Sequence, residues 1–398
     1  MNILLCNYEY PPIGGGGGIV SAWLAQELAK RHEVTVLTSQ IEGTPEECIE
    51  EGVRVLRVPV FFRNQRAVAN MASMLAYVPM GILRGRKLLR WDQFDVVNTH
   101  FVVPTGPVGH VISRQANIPN VLSLHGGDVY DPSKFTSPHR HFPLRVIVRW
   151  LMNQADAIVG QSTNTIGNAS IFYGLKKQAA RIPLGIPRVS HDAASRSEYG
   201  FTDEHILLVS VGRLVARKNI GQLIDTVKAL ADDRVQLLII GAGPEEENLR
   251  ARAAEQEVTD SVHFLGYVDD AEKFRVLNMA DIFVSSSRHE GFGINFLEAM
   301  ACGLPIVCYD YGGQTDFLEH EVNGYLIPVG DIEQFTEHCQ NLVESQELRL
   351  RFGQKNKQAI ETYFIDNCAL QYENVFAEAI QRRAGKNEIR MPQQTSTL

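Results

Sequence analysis

The chain has 398 residues, of which 44% are hydrophobic and 21% charged, and its formal net charge is −8. This composition is typical of a soluble globular protein, and the length suits two α/β domains better than a single core. Six scattered cysteines without a C-x-x-C pair argue against a zinc site or a disulfide framework. No apolar run reaches the ~18 residues of a membrane span, and the start lacks the basic region of a signal peptide. We therefore expect a cytoplasmic protein.

Short runs rich in Val, Ile and Leu alternate with helix-like stretches along the first half of the chain. Nearly continuous apolar runs are typical of parallel strands that are covered on both faces, and their alternation with helices predicts βαβ units. In the first half these runs occupy residues 2–7, 33–38, 53–60, 94–99, 121–125, 157–160 and 181–184.

A polar segment at 187–202 interrupts this rhythm and predicts a linker. The second half then repeats the pattern, with predicted strands at 206–211, 235–241, 262–265, 282–285, 306–309 and 325–327. We therefore predict an α/β fold with two Rossmann-like domains, at 1–190 and 203–361, a helical segment at 362–383 and a disordered tail at 386–398.

Ligands of open α/β sheets bind beyond the carboxyl ends of the strands, so motifs that follow strands deserve most weight. Five glycines at 14–18 follow the first strand and precede an amphipathic helix. Gly16 and Gly17 are predicted to lie beside the phosphates of a substrate that donates a group, or beside the substrate that accepts it, because bare amides at a helix start attract anions; the alternative is a permissive turn. The pattern is not G-x-G-x-x-G with a ribose-binding acid, which disfavours NAD.

Two further motifs follow strands in the two halves. His125 and Asp128 flank a glycine pair, so the imidazole is expected to bind a sugar hydroxyl, and Asp128 either caps the next helix or orients an acceptor hydroxyl. Arg213 and Lys218 are two cations at a strand end that are suited to a diphosphate and to the charge on a departing nucleotide; the alternative is a solvated loop. Gly243 follows the next strand, where either a nucleotide contact or a plain turn explains it.

The most specific motif runs from Glu290 through a glycine-rich turn into a helix that stops before Gly303. Glu290 is predicted to bind sugar hydroxyls and Glu298 the ribose diol. The amides at the helix start are expected to bind phosphate, since that end of a helix is positive. The residues that supply these amides are Gly293, Ile294 and Asn295.

The pattern of Glu290, seven residues and Glu298, followed by Ala-Met-Ala-x-Gly-x-Pro, resembles the family 4 retaining glycosyltransferases of GT-B fold, in which two Rossmann-like domains face each other across a cleft. The likeness covers residue 1 to about 380. It includes Gly-Arg-Leu with Lys218, the glycine run, His125-Gly126 and Gly312-Gly313; Asp316 stands where the family often has Glu.

The resemblance implies metal-independent hexosyl transfer from a nucleotide-diphosphate sugar with retention of configuration and no separate cofactor. It implies that Arg213, Lys218, Glu290 and His125 act in catalysis, that Glu298 binds the ribose, and that the last helices return to the N-terminal domain. UDP is the expected nucleotide, with GDP and ADP left open. A nucleotide-sugar epimerase, a phosphorylase on the same fold and a non-catalytic nucleotide-sugar-binding protein are the alternatives.

Residues 52–91 contain eight basic side chains and no acid, and an apolar stretch at 67–83 lies among them. Arg63 and Arg66 are predicted to bind the acceptor, and the block predicts peripheral association with an anionic membrane that presents a lipid-linked or envelope-polysaccharide acceptor. A core helix with a basic rim, or a pocket for a phosphorylated soluble acceptor, is the alternative. Sparse aromatics and negative overall charge disfavour nucleic acid. A second basic group comprises Lys134, Arg140, Arg145 and Arg149.

Overall fold

The computed structural model describes residues 1–61, 63, 70–188 and 192–390. The chain divides into two compact units, one made of Met1–Pro187 together with the chain from Ile365 onward, and the other of Arg188–Phe364. Each unit contains its own mainly parallel sheet, so the predicted α/β class with two Rossmann-like sheets is confirmed.

The N-terminal unit is built on an eight-stranded sheet in the order β3-β4-β2-β1-β5-β6-β7-β8. Its strands are β1 (Asn2–Asn7), β2 (Glu33–Ser39), β3 (Glu47–Glu50), β4 (Val53–Val58), β5 (Val96–His100), β6 (Asn120–Leu124), β7 (Ala157–Gly160) and β8 (Ala180–Arg181). All neighbours pair in parallel except β3 and β4. Strand β3 was not predicted, because its half-exposed Glu-Cys-Ile-Glu sequence lacks the apolar run of a covered strand.

Five helices connect these strands within the described residues: α1 (Gly16–Ala29), α2 (Met71–Leu88), α3 (Gly106–Ala116), α4 (Phe142–Gln154) and α5 (Thr163–Tyr173). Helix α2 contacts α3, and α3 contacts α4. None of the helices in the described part of the chain combines the length and the apolar character that a bilayer crossing requires.

The C-terminal unit contains a six-stranded parallel sheet in the order β11-β10-β9-β12-β13-β14. The strands are β9 (Ile206–Val211), β10 (Val235–Ile240), β11 (Val262–Gly266), β12 (Ile282–Ser285), β13 (Ile306–Tyr309) and β14 (Gly324–Ile327). Its helices are α6 (Gly221–Leu230), α7 (Glu246–Glu255), α8 (Asp270–Met279), α9 (Ile294–Ala301), α10 (Ile332–Glu344) and α11 (Gln346–Ala359).

Each sheet has a point at which the strand order changes direction. In the N-terminal sheet it lies between β1 and β5, and in the C-terminal sheet between β9 and β12. Loops that leave neighbouring strands in opposite directions open a crevice at the carboxyl edge, which is where ligands of doubly wound sheets bind. The loops after β1, β5, β9 and β12 are therefore the parts of the fold that position a site.

The last helix, α12 (Ile365–Arg390), belongs to the N-terminal unit, where it contacts α1 and β6. Its buried residues Ile365, Ala369, Tyr372 and Phe376 recur at helical spacing and join the core that contains β1 and α1. Residues 386–390 are helical rather than a disordered tail. Residues 391–398 of that predicted tail lie outside the described residues.

Replacing Phe376 with Ala tests how much this helix contributes to the N-terminal unit. Phe376 is fully buried, so we expect the free energy of unfolding to fall by about 3–5 kcal/mol in urea denaturation. Leu370→Ala is the matched control on the same helix, because Leu370 is 49% exposed and its loss should cost less than about 0.5 kcal/mol. Equal losses for both variants would show that α12 does not pack as described.

Candidate functional site

A buried ion pair lies at the carboxyl edge of the C-terminal sheet, on the two loops of the switch point. Lys218 ends a 3₁₀ segment after β9, and its Nζ donates to Oε1 of Glu290 in the loop after β12. Arg217 donates to the other carboxylate oxygen of Glu290 at 3.1 Å and to the His289 carbonyl at 3.0 Å. The structure thus brings together two residues that the sequence predicted and adds Arg217, which it did not.

The charge of Glu290 depends on these two cations. Burial alone would raise the pKa of the Glu290 carboxyl, but the charges of Lys218 and Arg217 outweigh burial and lower that pKa to about 2. Lys218 and Glu290 are both buried. A carboxylate that stays ionised at all physiological pH values in a nearly dry site is a strong hydrogen-bond acceptor.

Local backbone geometry brings Lys218 to this position. Asn219, the next residue, has a φ of 52° and turns the chain, and the Ser286 hydroxyl of the facing loop donates to its carbonyl at 2.8 Å. Gly212 has a φ of +155°, and a Cβ there would lie 3.2 Å from the Lys218 side chain. The two switch-point loops are therefore held to each other by the hydrogen bond from the Ser286 side chain to the Asn219 backbone as well as by the ion pair.

Glycines let two further loops pack onto these. A Cβ on Gly243 would lie 2.2 Å from the carbonyl oxygen of Leu214, and one on Gly313 would lie 2.1 Å from that of Gly291. The Gly313 amide also donates to the Glu290 carbonyl at 2.8 Å. Close packing between loops is a sufficient reason for glycine at both positions, so the nucleotide contact predicted for Gly243 stays a prediction.

Helix α9 begins directly behind Glu290. Gly293 precedes it with a φ of +91°, Ile294 is its first residue, and no side chain caps it. The Asn295 side chain donates to the Val211 carbonyl at 2.9 Å, which ties α9 to the end of β9. This arrangement places the positive end of α9 beside the switch-point loops, as the sequence predicted for a phosphate-binding helix start.

The second acid of the motif has a different partner from the first. Glu298 is buried in α9 and accepts from Nζ of Lys273 in α8 at 2.7 Å. Burial raises the pKa of the Glu298 carboxyl, and the charge of Lys273 opposes that rise without cancelling it. The pKa values of Glu290 and Glu298 therefore shift in opposite directions from the ordinary value of a glutamate. Lys273 also donates to Asp270 at 2.8 Å.

Arg213 lies apart from the ion pair. Its side chain is exposed and makes no hydrogen bond or ion pair with another described residue. Of the predicted basic pair, Lys218 thus contacts Glu290, whereas the second cation beside that acid is Arg217 and not Arg213. The predicted diphosphate contact of Arg213 stays a prediction.

A histidine pair occupies the carboxyl edge of the N-terminal sheet. His125 follows β6, and its Nε2 lies 2.8 Å from Nδ1 of His100 at the end of β5. Nε2 of His100 lies 2.7 Å from the Asn98 side-chain oxygen. Burial lowers the pKa of His125 to about 4 and lowers that of His100 well below its usual range, so both rings are neutral at pH 7. His125 is thus in the position that the sequence predicted, and His100 and Asn98 were not predicted.

Asp128 holds the loop that contains His125. One carboxylate oxygen accepts from the His125 amide at 2.9 Å and the other from the Val102 amide at 2.8 Å. Burial raises the pKa of Asp128 to about 6 against the effect of these bonds. No helix begins there in the described chain, so the predicted helix cap is wrong. Both oxygens bind backbone amides, so Asp128 positions the loop of His125, and the acceptor contact predicted for Asp128 stays a prediction.

The glycine run is only partly a loop. Helix α1 begins at Gly16, so Gly16 and Gly17 form its first turn, and no side chain caps it. The Glu9 carboxylate instead accepts from the Gly15 amide at 3.3 Å. A Cβ on Gly17 would lie 2.4 Å from the Phe101 ring, which stacks on His125 with centroids 4.3 Å apart. Gly17 therefore makes room for the ring that supports His125.

Fewer cations of the basic block at 52–91 are free to bind an acceptor or an anionic membrane than its sequence suggests. Buried Arg57 pairs with Glu50 at 2.7 Å, and Arg54 pairs with Glu47 at 2.8 Å, so acids outside the block neutralise part of it. Arg63 is buried, with its guanidinium 4.6 Å from the centroid of the Tyr8 ring. Arg66 lies outside the described residues. The acceptor contacts predicted for Arg63 and Arg66 stay predictions.

Four residues of the two sites were not predicted from the sequence. Arg217 adjoins Lys218 in the sequence, so a closer reading of that basic pair would have found it. Lys273, Asn98 and His100 lie on elements that become neighbours only in the folded sheets, and no local pattern marks them.

Family profiles match both halves of the chain. The profile "Glycosyl transferases group 1" matches residues 192–359, and "Glycosyl transferase 4-like domain" matches residues 15–185. The first match contains the ion pair and α9, and the second contains the histidine pair. The two matches therefore include both sites described above.

Curated relatives match along nearly the whole chain. N-acetyl-alpha-D-glucosaminyl L-malate synthase of Bacillus anthracis is 24% identical over 387 residues, which is 93% of this chain and 96% of the relative. Phosphatidyl-myo-inositol mannosyltransferase of Mycobacterium leprae is 27% identical over 381 residues, which is 94% of this chain and 95% of the relative.

Solved structures share the architecture. Sucrose-phosphate synthase from Thermosynechococcus elongatus matches with a TM-score of 0.84 at 20% identity, covering 96% of this chain and all of that one (100%). The Anabaena protein Alr3699/HepE, solved in complex with UDP, matches with a TM-score of 0.75 at 19% identity, covering 95% and 100% of the two chains. At these identities the likeness shows the fold.

Replacing Lys218 with Met tests the buried ion pair. The variant leaves the Glu290 charge buried beside Arg217 alone, so we expect the free energy of unfolding at pH 7 to fall by about 3–5 kcal/mol. The pKa of about 2 lies below the usual 4.5, so the pair stabilises the wild type above pH 4.5 and this stability is lost as the pH falls through 2. The difference between the two proteins should therefore shrink in urea titrations below pH 4.5.

Lys228→Met is the control, because Lys228 forms an exposed pair with Glu257 at 3.6 Å and should contribute less than about 1 kcal/mol. A pH-independent difference between wild type and Lys218→Met would count against an ionised Glu290.

Proposed function

We propose that this chain, which belongs to the family 4 glycosyltransferases of GT-B fold, transfers a hexose from a nucleotide-diphosphate sugar to an acceptor hydroxyl with retention of configuration. The observation that carries the proposal is the ionised Glu290 beside Lys218 and Arg217 at the switch point of the C-terminal sheet, next to the uncapped start of α9.

The donor would bind along the carboxyl edge of the C-terminal sheet. An ammonium group has three donors, so Lys218 can contact a phosphate oxygen while it remains bound to Glu290. Exposed Arg213 can close on the diphosphate from the same loop, and the amides at the start of α9 add further donors. Glu298 would accept from the ribose diol. UDP is favoured as the nucleotide because one structure of similar fold was solved with UDP.

Positioning and charge stabilisation would supply the catalysis. The bond between the sugar C1 and the phosphate oxygen breaks, and Lys218 and the α9 amides stabilise the negative charge on the leaving diphosphate. The acceptor oxygen attacks the same face of C1, and its proton passes to the departing phosphate oxygen. Glu290 would hold the sugar hydroxyls and orient C1 for this step.

A panel of UDP-, GDP- and ADP-hexoses offered to the full chain tests the function. We expect slow donor hydrolysis with one nucleotide class, and about 10²- to 10³-fold lower turnover in Glu290→Gln, because that variant weakens the contacts to the reacting sugar. Glu246→Gln is the matched control, since Glu246 lies in the first turn of α7 and, among the described residues, pairs with Arg250 rather than with Lys218 or Arg217. A wild type that neither binds nor cleaves any donor would rule the proposal out.

We further propose that the acceptor is presented at an anionic membrane and that α4 contacts that membrane. Phe142 is 75% exposed and Trp150 49% exposed, and exposed Val146 lies between them on one stripe of the helix. Arg145 and Arg149 flank the stripe, and Asp156 is the one acid between residues 132 and 178. Apolar side chains bordered by cations are typical of helices that lie in an anionic interface.

The membrane contact proposed here lies on α4 and not on the apolar stretch at 67–83 that the sequence indicated. Helix α2 buries Tyr77, Gly81 and Gly85 against its neighbours and exposes a smaller apolar set that includes Leu75. The relative from Mycobacterium leprae is named for a mannosyl transfer to phosphatidyl-myo-inositol, which supports a lipid-linked acceptor.

Flotation with vesicles of phosphatidylglycerol and phosphatidylcholine tests the α4 surface. We expect binding that weakens at high salt, because the cationic part of the attraction is screened. The double variant Phe142→Ser with Trp150→Ser should lose about tenfold or more in partitioning, because each aromatic contributes about 1.5–3 kcal/mol when it leaves water. Tyr267→Ser is the control, since Tyr267 is 85% exposed in the C-terminal unit. Wild-type protein that fails to bind at low salt would contradict the proposal.

A further inference from the structure

The orientation of the Asn98 side-chain amide determines which ring nitrogen carries the proton in His100 and in His125. The Asn98 side-chain nitrogen donates to the Val121 carbonyl at 3.1 Å and to the Ser123 hydroxyl at 3.0 Å. A flipped amide would place its oxygen against the Val121 carbonyl, which also only accepts. The Asn98 oxygen therefore faces His100 at 2.7 Å and accepts a proton from its Nε2.

The tautomer of His100 in turn determines the tautomer of His125. Because His100 is neutral and carries its proton on Nε2, its Nδ1 has a bare lone pair. Nε2 of His125 lies 2.8 Å from that lone pair and must donate to it. His125 is neutral as well, so its Nδ1 is a second bare lone pair. This Nδ1 is buried and has no hydrogen-bond partner in the described part of the chain.

Neighbouring side chains hold the His100 ring in place and leave His125 as the donor to its Nδ1. Ser21 approaches Nδ1 of His100 at 3.3 Å, but its single proton goes to the Gly17 carbonyl at 2.8 Å, so it does not replace His125 as donor. Tyr372 of α12 stacks on the His100 ring, and its hydroxyl lies 3.1 Å from that of Ser123. The backbone of His125 is held by Asp128, as described above.

We propose that Asn98 and His100 are positioning residues: the hydrogen bonds that run from Asn98 through His100 hold His125 in the tautomer whose bare Nδ1 can accept the substrate hydroxyl expected from the sequence. A buried polar atom without a partner is costly, and an O–H donor from a sugar or an acceptor would satisfy it. His125 as a whole keeps 9% of its surface accessible at the carboxyl edge of the sheet, whereas its Nδ1 is buried. The inference rests on the proposed sugar-transfer function for its ligand, but the tautomer itself does not.

A matched pair of substitutions at His125 separates its two nitrogens. An asparagine side-chain oxygen can occupy the position of Nδ1, whereas a glutamine reaches only the position of Nε2. We expect His125→Asn to retain most of kcat/KM and His125→Gln to lose about tenfold or more, because the substrate hydroxyl is then left without its acceptor. Higher activity in His125→Gln than in His125→Asn would overturn the proposal.

The positioning role has its own pair at residue 100. His100→Asn places an acceptor oxygen near the position of Nδ1 and should keep His125 donating through Nε2, whereas His100→Leu removes the acceptor. We expect His100→Leu to lower kcat/KM by about tenfold and His100→Asn to recover most of it. Equal losses in both variants, with unchanged thermal transitions, would show that His100 does not orient His125.

Nitrogen-15 NMR of histidine-labelled full chain provides a readout that needs no activity. We expect His125 in the wild type to show a protonated Nε2 and an unprotonated Nδ1, and His100→Leu to give a mixture of tautomers. A protonated Nδ1 on His125 in the wild type would overturn the inference even if the transferase proposal held. The predicted tautomer in a chain that cleaves no nucleotide sugar would leave the histidine arrangement intact and remove the transferase proposal instead.

Discussion

A buried carboxylate stays ionised only when cations or hydrogen-bond donors lie close to it, and Lys218 and Arg217 stabilise the charge of Glu290 at the switch point of the C-terminal sheet, where two loops diverge. The rest of the site follows from this constraint. The loops carrying these residues must be locked together, which the Ser286 contact to Asn219 achieves. Neighbouring loops must approach closely, which requires glycine. A helix then begins beside the pair with its amides uncapped.

The N-terminal sheet orients its polar side chains through hydrogen bonds between neutral groups. Its carboxyl edge carries two neutral imidazoles, and a chain of hydrogen bonds from Asn98 through His100 determines which nitrogen of His125 is bare. Low dielectric strengthens such directed bonds in the same way that it strengthens the ion pair. Each unit thus holds its own polar groups at the carboxyl edge of its sheet: an ionised carboxylate with two cations in the C-terminal unit, and two neutral imidazoles in the N-terminal unit.

The sequence predicted much of the fold because covered parallel strands are continuous apolar runs, and three strands of the C-terminal sheet were placed to the residue. It missed β3, whose charged sequence suits an edge. Glu290 and Glu298 were found because one local motif carries both, whereas Lys273 and His100 were missed because their partners come from distant segments. The basic block misled because the acids that neutralise Arg54 and Arg57 lie outside it. Local patterns identify residues, but only the folded sheets determine their partners.

A crystal structure of the full chain with UDP bound would test the central claim most directly. We expect the diphosphate to contact Lys218 and the first amides of α9 while Glu290 remains an ionised neighbour of Lys218, and the ribose hydroxyls to lie within hydrogen-bond distance of Glu298. UDP bound away from the β9 and β12 loops, or a Lys218 that leaves both Glu290 and the phosphates, would contradict it.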